Sequence, residues 1–525
     1  MTNQSSDTQP ALRPFNVSVR GGRLTKIKGR VASIAPGLSV VATAAVLLTG
    51  NAAQAANECG TDEVGQGTVT CGASDPSYPN YTDGITYTGS DGLTLILDDP
   101  AIEVAGLGAI VQGASGSKGH ITVQMRDGEV KTIGRVIGGV VERAYGLRAY
   151  TEGDGAVTVQ MSGGEIDVTT DQFTAYGLQA SIRNFESQAD ATAEMTDGTV
   201  TANGGIGLYA TSHSSGATLA RMTGGVIVTS SIESGTGNSD NHGIYATGLG
   251  RNVTAHMIKG DVRTSAYRSN GLVANHSFSG DVLAQMDGGT ILTQGEESEG
   301  IYALFRHSGR ETEASTATAR MNGGHVKTTG EGAHGVFARS RGFGTGVAQI
   351  KDGTITTEGA EAHGVQATTR DGQAIVSLGA GAIVTVSGNG SDGIRATAFE
   401  GGTGSFDVEV AGFVRGGAEN GAAIRTISSD SARRGRINIA STATVTAGAS
   451  GVAIQVEGGA AVVTSAGIIT GDIVFGAGND FLILTGGNVT GRIDGGAGDN
   501  DRLILRGQII SRTEENFLNW EHVAL

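Results

Sequence analysis

The sequence predicts an all-β chain wound as a right-handed parallel β-helix, a β-solenoid of roughly a dozen three-stranded rungs. Three observations predict it: one motif recurs over most of the chain, each copy holds three short runs of alternating apolar and polar residues, and Gly, Asn or Asp separates the runs. Of 525 residues 87 are Gly, whereas all six prolines lie between Pro10 and Pro100. A Pro-rich stalk or a collagen triplet array is thereby excluded, because both need Pro throughout. At 38% hydrophobic and 17% charged residues the chain is also too apolar for simple disorder.

The repeat is read most easily from four segments that align without a gap. They are MIKGDVRTSAYRSNGLVA (257–274), MDGGTILTQGEESEGIYA (286–303), MNGGHVKTTGEGAHGVFA (321–338) and IKDGTITTEGAEAHGVQA (350–367). The fourth position is Gly260, Gly289, Gly324 and Gly353; the sixth is Val262, Ile291, Val326 and Ile355; the eighth is Thr264, Thr293, Thr328 and Thr357. A Gly-aliphatic-x-Ala box follows at Gly271, Gly300, Gly335 and Gly364. Met125, Met161, Met195 and Met222 anchor earlier copies, and Leu378 and Val410 take the anchor place later. Anchors are spaced 29, 35, 29 and 28 residues apart, the longest interval absorbing a polar insertion at 306–318.

Within one copy the alternating runs are Asp281–Met286, Thr290–Thr293 and Gly300–Leu304. Period-2 alternation rich in Val, Ile and Thr marks strands with one buried face. The Gly and Asn or Asp between them supply turns with positive φ. Propeller blades need about 40–50 residues and four strands, which this period does not match. The register points Val326 inward between Ile291 and Ile355, with Lys327 outward. No amphipathic helix pattern of useful length occurs after residue 56.

Residues 1–55 read as an extended signal peptide. A basic region (13–30) precedes the apolar run Ile34–Leu48, and Ala53-Gln54-Ala55 has the small-x-small form that places cleavage between Ala55 and Ala56. The apolar run is shorter than the ~20 residues of a membrane-spanning helix. An N-terminal cap (56–98) holds both cysteines, Cys59 and Cys71, read as a disulfide closing a small loop, with two free thiols as the alternative. Residues 99–470 are the repeat β-helix and 471–525 its last rungs. The formal net charge is −16, and the first 55 residues hold six basic side chains against one acid, so the remainder is more acidic still. Such a surface repels phosphate backbones, and nucleic acid is not an expected partner.

Motifs of chemistry are few. G-x-S-x-G and H-E-x-x-H do not occur. His242, His334 and His363 each precede the Gly of a box, where other copies have Tyr145, Tyr176, Ile206, Asn270, Glu299 and Asp392. A position so variable is read as a solvated edge before a turn. The alternative is a metal-binding or pH-sensing imidazole pair at His334 and His363, on neighbouring rungs. Near the end, FGAGNDFLI (475–483) and GGAGDNDRL (495–503) resemble a calcium-binding nonapeptide, but they start twenty residues apart and are read as Gly-Asp turns between strands Phe481–Leu484 and Arg502–Leu505. Aromatic platforms for sugar stacking look sparse. The reading is therefore of no enzyme, with no catalytic, cofactor or metal residues.

The long basic signal, the segment ECGTDEVGQGTVTCG (58–72) running on to GITYTGSDGLTLIL (84–97), and the M-x-G-G-x-[VI]-x-T repeats together resemble the passenger domain of a monomeric, type V-secreted autotransporter of Gram-negative bacteria, with a pertactin-like β-helix. The tail, 475–507 followed by ENFLNWEHVAL (515–525), is similar to the rungs that precede the autochaperone region in that family. The resemblance implies export through the periplasm to the cell surface, outer membrane or medium. It also implies an outer-membrane barrel translocator, C-terminal or in trans, which does not appear in this sequence, and a host-surface, matrix or sister-cell ligand. Non-enzymatic adhesion is the expected role. A β-helical glycan-acting enzyme and a truncated passenger without present function are the alternatives. Insertions at 180–192, 230–241 and 304–320 are expected to project as loops, where binding concentrates. Ile509, Ile510, Phe517 and Trp520 are expected to lack cover at the C-terminal end.

Overall fold

A computed structural model of the chain describes residues 59, 67–72, 81, 83–137, 140–170, 174–231, 241–250, 252–278, 280–306, 315–399, 402–429, 434–506 and 516–525. The signal region with Ala55 and Ala56, the insertion segments 232–240 and 307–314, and Ile509 and Ile510 lie outside the described residues. Residues Gln54–Leu525 form one compact unit.

The fold is all-β and solenoid-like. Among the described residues strands lie in two long sheets of 28 and 16 members, and no α-helix occurs. Each repeat places its first two runs in the larger sheet and its third in the smaller. Asp281–Met286 lies parallel between Asn252–Met257 and Thr316–Met321. Thr290–Thr293 lies between Asp261–Thr264 and His325–Thr328. Ile301–Phe305 lies between Leu272–His276 and Val336–Ser340. In places the first two runs fuse, as in Thr345–Thr357, with a register shift between Ile350 and Asp352. Among the described residues one antiparallel pairing interrupts the pattern, where Val140–Glu142 folds back on the end of Ile121–Ile137.

Stacking explains why the motif repeats. Met125, Met161, Met195, Met222, Met257, Met286 and Met321 stand in register, followed by Ile350, Leu378 and Val410. All are buried. The Gly three residues after the anchor is coupled to this column. Gly289 has φ +89°, and a Cβ there would lie 2.8 Å from Met257 Cε and 2.3 Å from the Gly260 carbonyl oxygen. Only Gly meets both the conformation and the close approach. The box Gly answers the aliphatic column instead: a Cβ on Gly300 would lie 2.3 Å from Val326 Cγ1. Val326 is 1% exposed and paired with Ile291 and Ile355, as its alternation requires. The eighth-position threonines close the turn into the box. Thr293 Oγ1 donates to Ser298 O (2.7 Å), Thr328 Oγ1 to Ala333 O (2.6 Å) and Thr357 Oγ1 to Ala362 O (2.7 Å).

At the N-terminal side Cys59 and Cys71 are joined, with Cα atoms 5.2 Å apart. Strand Thr68–Gly72 pairs in parallel with Thr94–Asp98, so Cys71 already belongs to the stacked core. Two of the three expected loops are shorter than the sequence suggests. Ala180–Ile182 ends one strand and Ala191 begins the next, leaving 183–190 between them. Likewise Leu304 and Phe305 end a strand, and Thr316–Met321 is another. The C-terminal expectation needs correction as well. Phe517 pairs with Ile493, and Trp520 donates from Nε1 to Ile493 O (3.2 Å) while meeting Phe475 edge-on, so both aromatics pack on the preceding rung.

Candidate functional site

The residue before each box Gly is not a solvated edge. His242, Asn270, His363 and Asp392 are all at most 6% exposed there. Each offers an acceptor to the backbone amide of the same position one rung on. His242 Nδ1 accepts from Asn270 N (3.1 Å), Asn270 Oδ1 from Glu299 N (2.6 Å), His334 Nδ1 from His363 N (3.1 Å), His363 Nδ1 from Asp392 N (2.9 Å) and Asp392 Oδ1 from Ala422 N (2.8 Å). His, Asn and Asp interchange because each carries an acceptor at that reach. From His242 to Asp392 the His, Asn and Asp at this position share an acceptor, whereas the earlier copies place Tyr145, Tyr176 and Ile206 there.

This column includes the imidazole pair. The rings of His334 and His363 stack with centroids 4.9 Å apart and planes 8° from parallel. Burial, reinforced by Arg395 and Arg339, pulls His334 down to about 3. Burial, then His334, Arg395 and Arg425, holds His363 well below its ordinary value. Both nitrogens of His363 face donors, the Asp392 amide on Nδ1 and Arg395 Nη1 at 2.7 Å from Nε2. Asp392 beside it is committed to Arg425 Nε at 3.0 Å, and Arg425 also reaches Glu457. A His next to an Asp is thus locked, without a lone pair placed to take a substrate proton. Among the described residues no three His, Cys, Asp or Glu side chains are grouped to hold a metal ion.

The Gly-Asp segments near the end follow the same logic. Asp480 Oδ1 accepts from Ala461 N (2.6 Å), Asp501 Oδ1 from Asp480 N (2.7 Å) and Glu521 Oε2 from Asp501 N (2.7 Å). Asp480 and Asp501 are fully buried, and the Oδ2 of each lacks a hydrogen-bond partner. Burial pushes Asp480 up to about 7, with Asp501 adding to it. These acids order the turns between Phe481–Leu484 and Arg502–Leu505.

A different region stands out: aromatics on the outer side of the smaller sheet gather into ring stacks, Tyr302 on Phe337 and a longer one of tyrosines. Tyr145, Tyr176, Tyr209 and Tyr245 form a continuous ring stack with successive centroids 5.3 Å apart. At its start lies a cavity of about 720 Å³. Arg148, Gln179, Arg183, Phe185 and His213 line it together with Tyr145, Tyr176 and Tyr209. A signal for part of this was present, since the x of the box is aromatic in Tyr209, Tyr245, Tyr302 and Phe337. The stack itself was not readable, because Tyr176 lies in register with Ile206 and reaches Tyr209 only diagonally. No family model, no curated protein and no solved structure matches this chain.

Proposed function

We propose that the chain is the passenger of a monomeric autotransporter: a right-handed parallel β-helix of roughly a dozen three-stranded rungs, exported through the periplasm and presented at the cell surface or released. There it binds a host-surface, matrix or sister-cell ligand and catalyses no reaction. A barrel translocator in the outer membrane, encoded C-terminally or in trans, is the partner this reading requires. The observation that carries it is the commitment of the repeat's polar side chains. Thr hydroxyls, His nitrogens and Asp oxygens of the motif are bound to backbone groups of their own or the neighbouring rung. Such groups build the scaffold, and outward positions that differ from rung to rung are left to make contacts.

The test is expression with a matched barrel in a Gram-negative host. Surface accessibility of the chain, a mature N-terminus at Ala56 and increased adherence to epithelial cells, matrix or sister cells are expected. Retention of the chain in the cytoplasm with residues 1–55 intact refutes export. Hydrolysis or elimination of a polysaccharide, abolished by one point substitution, would favour the glycan-acting enzyme instead.

A further inference from the structure

Arg148 lies between Leu147 and Ala149, which belong to the core, and so projects from the outer side of strand Tyr145–Thr151. Its guanidinium carbon is 4.6 Å from the ring centres of both Tyr145 and Tyr150. It pairs with no carboxylate among the described residues, and its Nε is buried without a hydrogen-bond partner. The nearby Glu152 is engaged by the Tyr150 hydroxyl. Aromatic faces orient a guanidinium, but they do not replace the hydrogen bonds its N–H groups lose on burial. Gln179, in register with Arg148 on the next rung, is 6% exposed, and its Oε1 likewise lacks a partner. At the rim Phe185 is 68% exposed and lies on the His213 ring at 4.8 Å. Arg183 stands 5.7 Å from the Tyr150 ring.

We infer that this cavity is a binding site for an oligosaccharide bearing carboxylates, a uronic-acid chain. Arg148 and Arg183 hold the carboxylate, Gln179 Oε1 accepts a sugar hydroxyl, and Phe185 presents its open face to the apolar face of a pyranose ring. Guanidinium N–H groups match a carboxylate in charge and in planar geometry. The cavity volume falls within the roughly 300–1,000 Å³ of small-molecule sites. An acidic peptide would satisfy the arginines, and its backbone N–H could serve Gln179, but its acidic side chains bring no flat aliphatic ring for Phe185. On a chain of net charge −16, three arginines (Arg143, Arg148 and Arg183) gathered around one cavity outnumber the two carboxylates that also line it, Glu152, engaged by Tyr150, and Glu186, and make a local site for an anion. The inference rests on the proposed role of the chain as a ligand-binding surface protein, and names the class of ligand.

The experiment is calorimetric titration of the purified full chain with oligogalacturonates of increasing length. Fully methyl-esterified oligomers of the same length and hexaglutamate serve as comparison probes. Saturable binding of the free acid is expected, with no measurable binding of the ester. Arg148→Gln should weaken binding by about tenfold or more, the scale of a lost charge-assisted hydrogen bond. Arg183→Gln and Phe185→Ala, both at exposed positions, should weaken it several-fold without altering the circular dichroism spectrum. They keep the test decisive should Arg148→Gln fail to fold. Arg436→Gln, on a distant strand, should leave affinity unchanged. Absence of binding by the free acid, equal affinity of wild type and all three site variants, or equal binding of the ester or hexaglutamate overturns the inference. Binding accompanied by cleavage of the oligomer would keep the site and overturn the non-enzymatic reading, so the two fail separately.

Discussion

Substituting Val326 by Asp tests the stacking logic at its centre. Val326 is 1% exposed, flanked by Ile291 and Ile355, and its Cγ1 occupies the space a Cβ on Gly300 would need. Losing the buried valine removes about 1.5–3 kcal/mol of apolar burial. Placing a carboxyl there without a partner adds about 2 kcal/mol or more. The total is about 3.5–5 kcal/mol or more, concentrated in one rung. Lys327 makes the control. Its ammonium lies 2.7 Å from Glu358 Oε1, with side chains 47% and 45% exposed. Lys327→Ala should cost well under ~1 kcal/mol. A global melting curve is the wrong assay, because long repeat arrays lose two-state cooperativity. Hydrogen exchange read by mass spectrometry resolves the rungs. Val326→Asp should strip protection from 286–293, 321–328 and 350–357 while leaving 157–230 unchanged. Equal effects of the two substitutions would refute the inward–outward assignment, since a slip of one residue exchanges the faces.

Three further outcomes are expected. Gly300→Ala should destabilise its rung by about 1–3 kcal/mol through overpacking against Val326 Cγ1 at 2.3 Å and the Gly335 carbonyl at 2.6 Å, whereas Gly288→Ala, whose nearest neighbour would be Ile258 O at 3.1 Å, should be close to neutral; denaturant-dependent exchange compares them. Asp480, raised from an ordinary 3.8 to about 7, binds its proton more tightly folded than unfolded. Its contribution is therefore full below about pH 4 and lost as pH rises through about 7, and Asp480→Asn should flatten the pH dependence of protection at 481–484 and 502–505. For His334, pulled from 6.5 to about 3, the sign is opposite: the unfolded chain takes up a proton first, so stability falls as pH drops below about 6.5. His334→Asn should retain an amide acceptor, as Asn270 does, and reduce that acid lability; an unchanged acid profile would show that the imidazole is not responsible.

Much of the architecture was legible along the chain. Alternation in Asp281–Met286 and Thr290–Thr293 marked two strands at the bounds they adopt, and the third run is displaced by a single residue, to Ile301–Phe305. A parallel stack makes this possible, because each residue's main neighbour is its own counterpart one repeat away, and a one-dimensional pattern then carries three-dimensional contacts. For the same reason the Met anchor, the Gly at positive φ and the box Gly appear as fixed letters: each answers a neighbour occupying the same motif on the adjoining rung.

Contacts that cross the register were not legible. Variation among His, Asn and Asp before the box resembled neglect, since the shared property is an acceptor at a given reach and not a residue type. Tyr176 meets Tyr209 on the diagonal, and Arg148 lies against Tyr145 and Tyr150 on its own strand while Gln179 lies above it. Side-chain reach and ring orientation set those meetings, and neither is periodic in the sequence. The repeat thus specified the scaffold by itself. Which of its outward side chains converge, and which buried groups at Arg148 and Gln179 stay unpartnered, only the tertiary structure decided, because both depend on what the neighbouring rungs bring close and exclude from water.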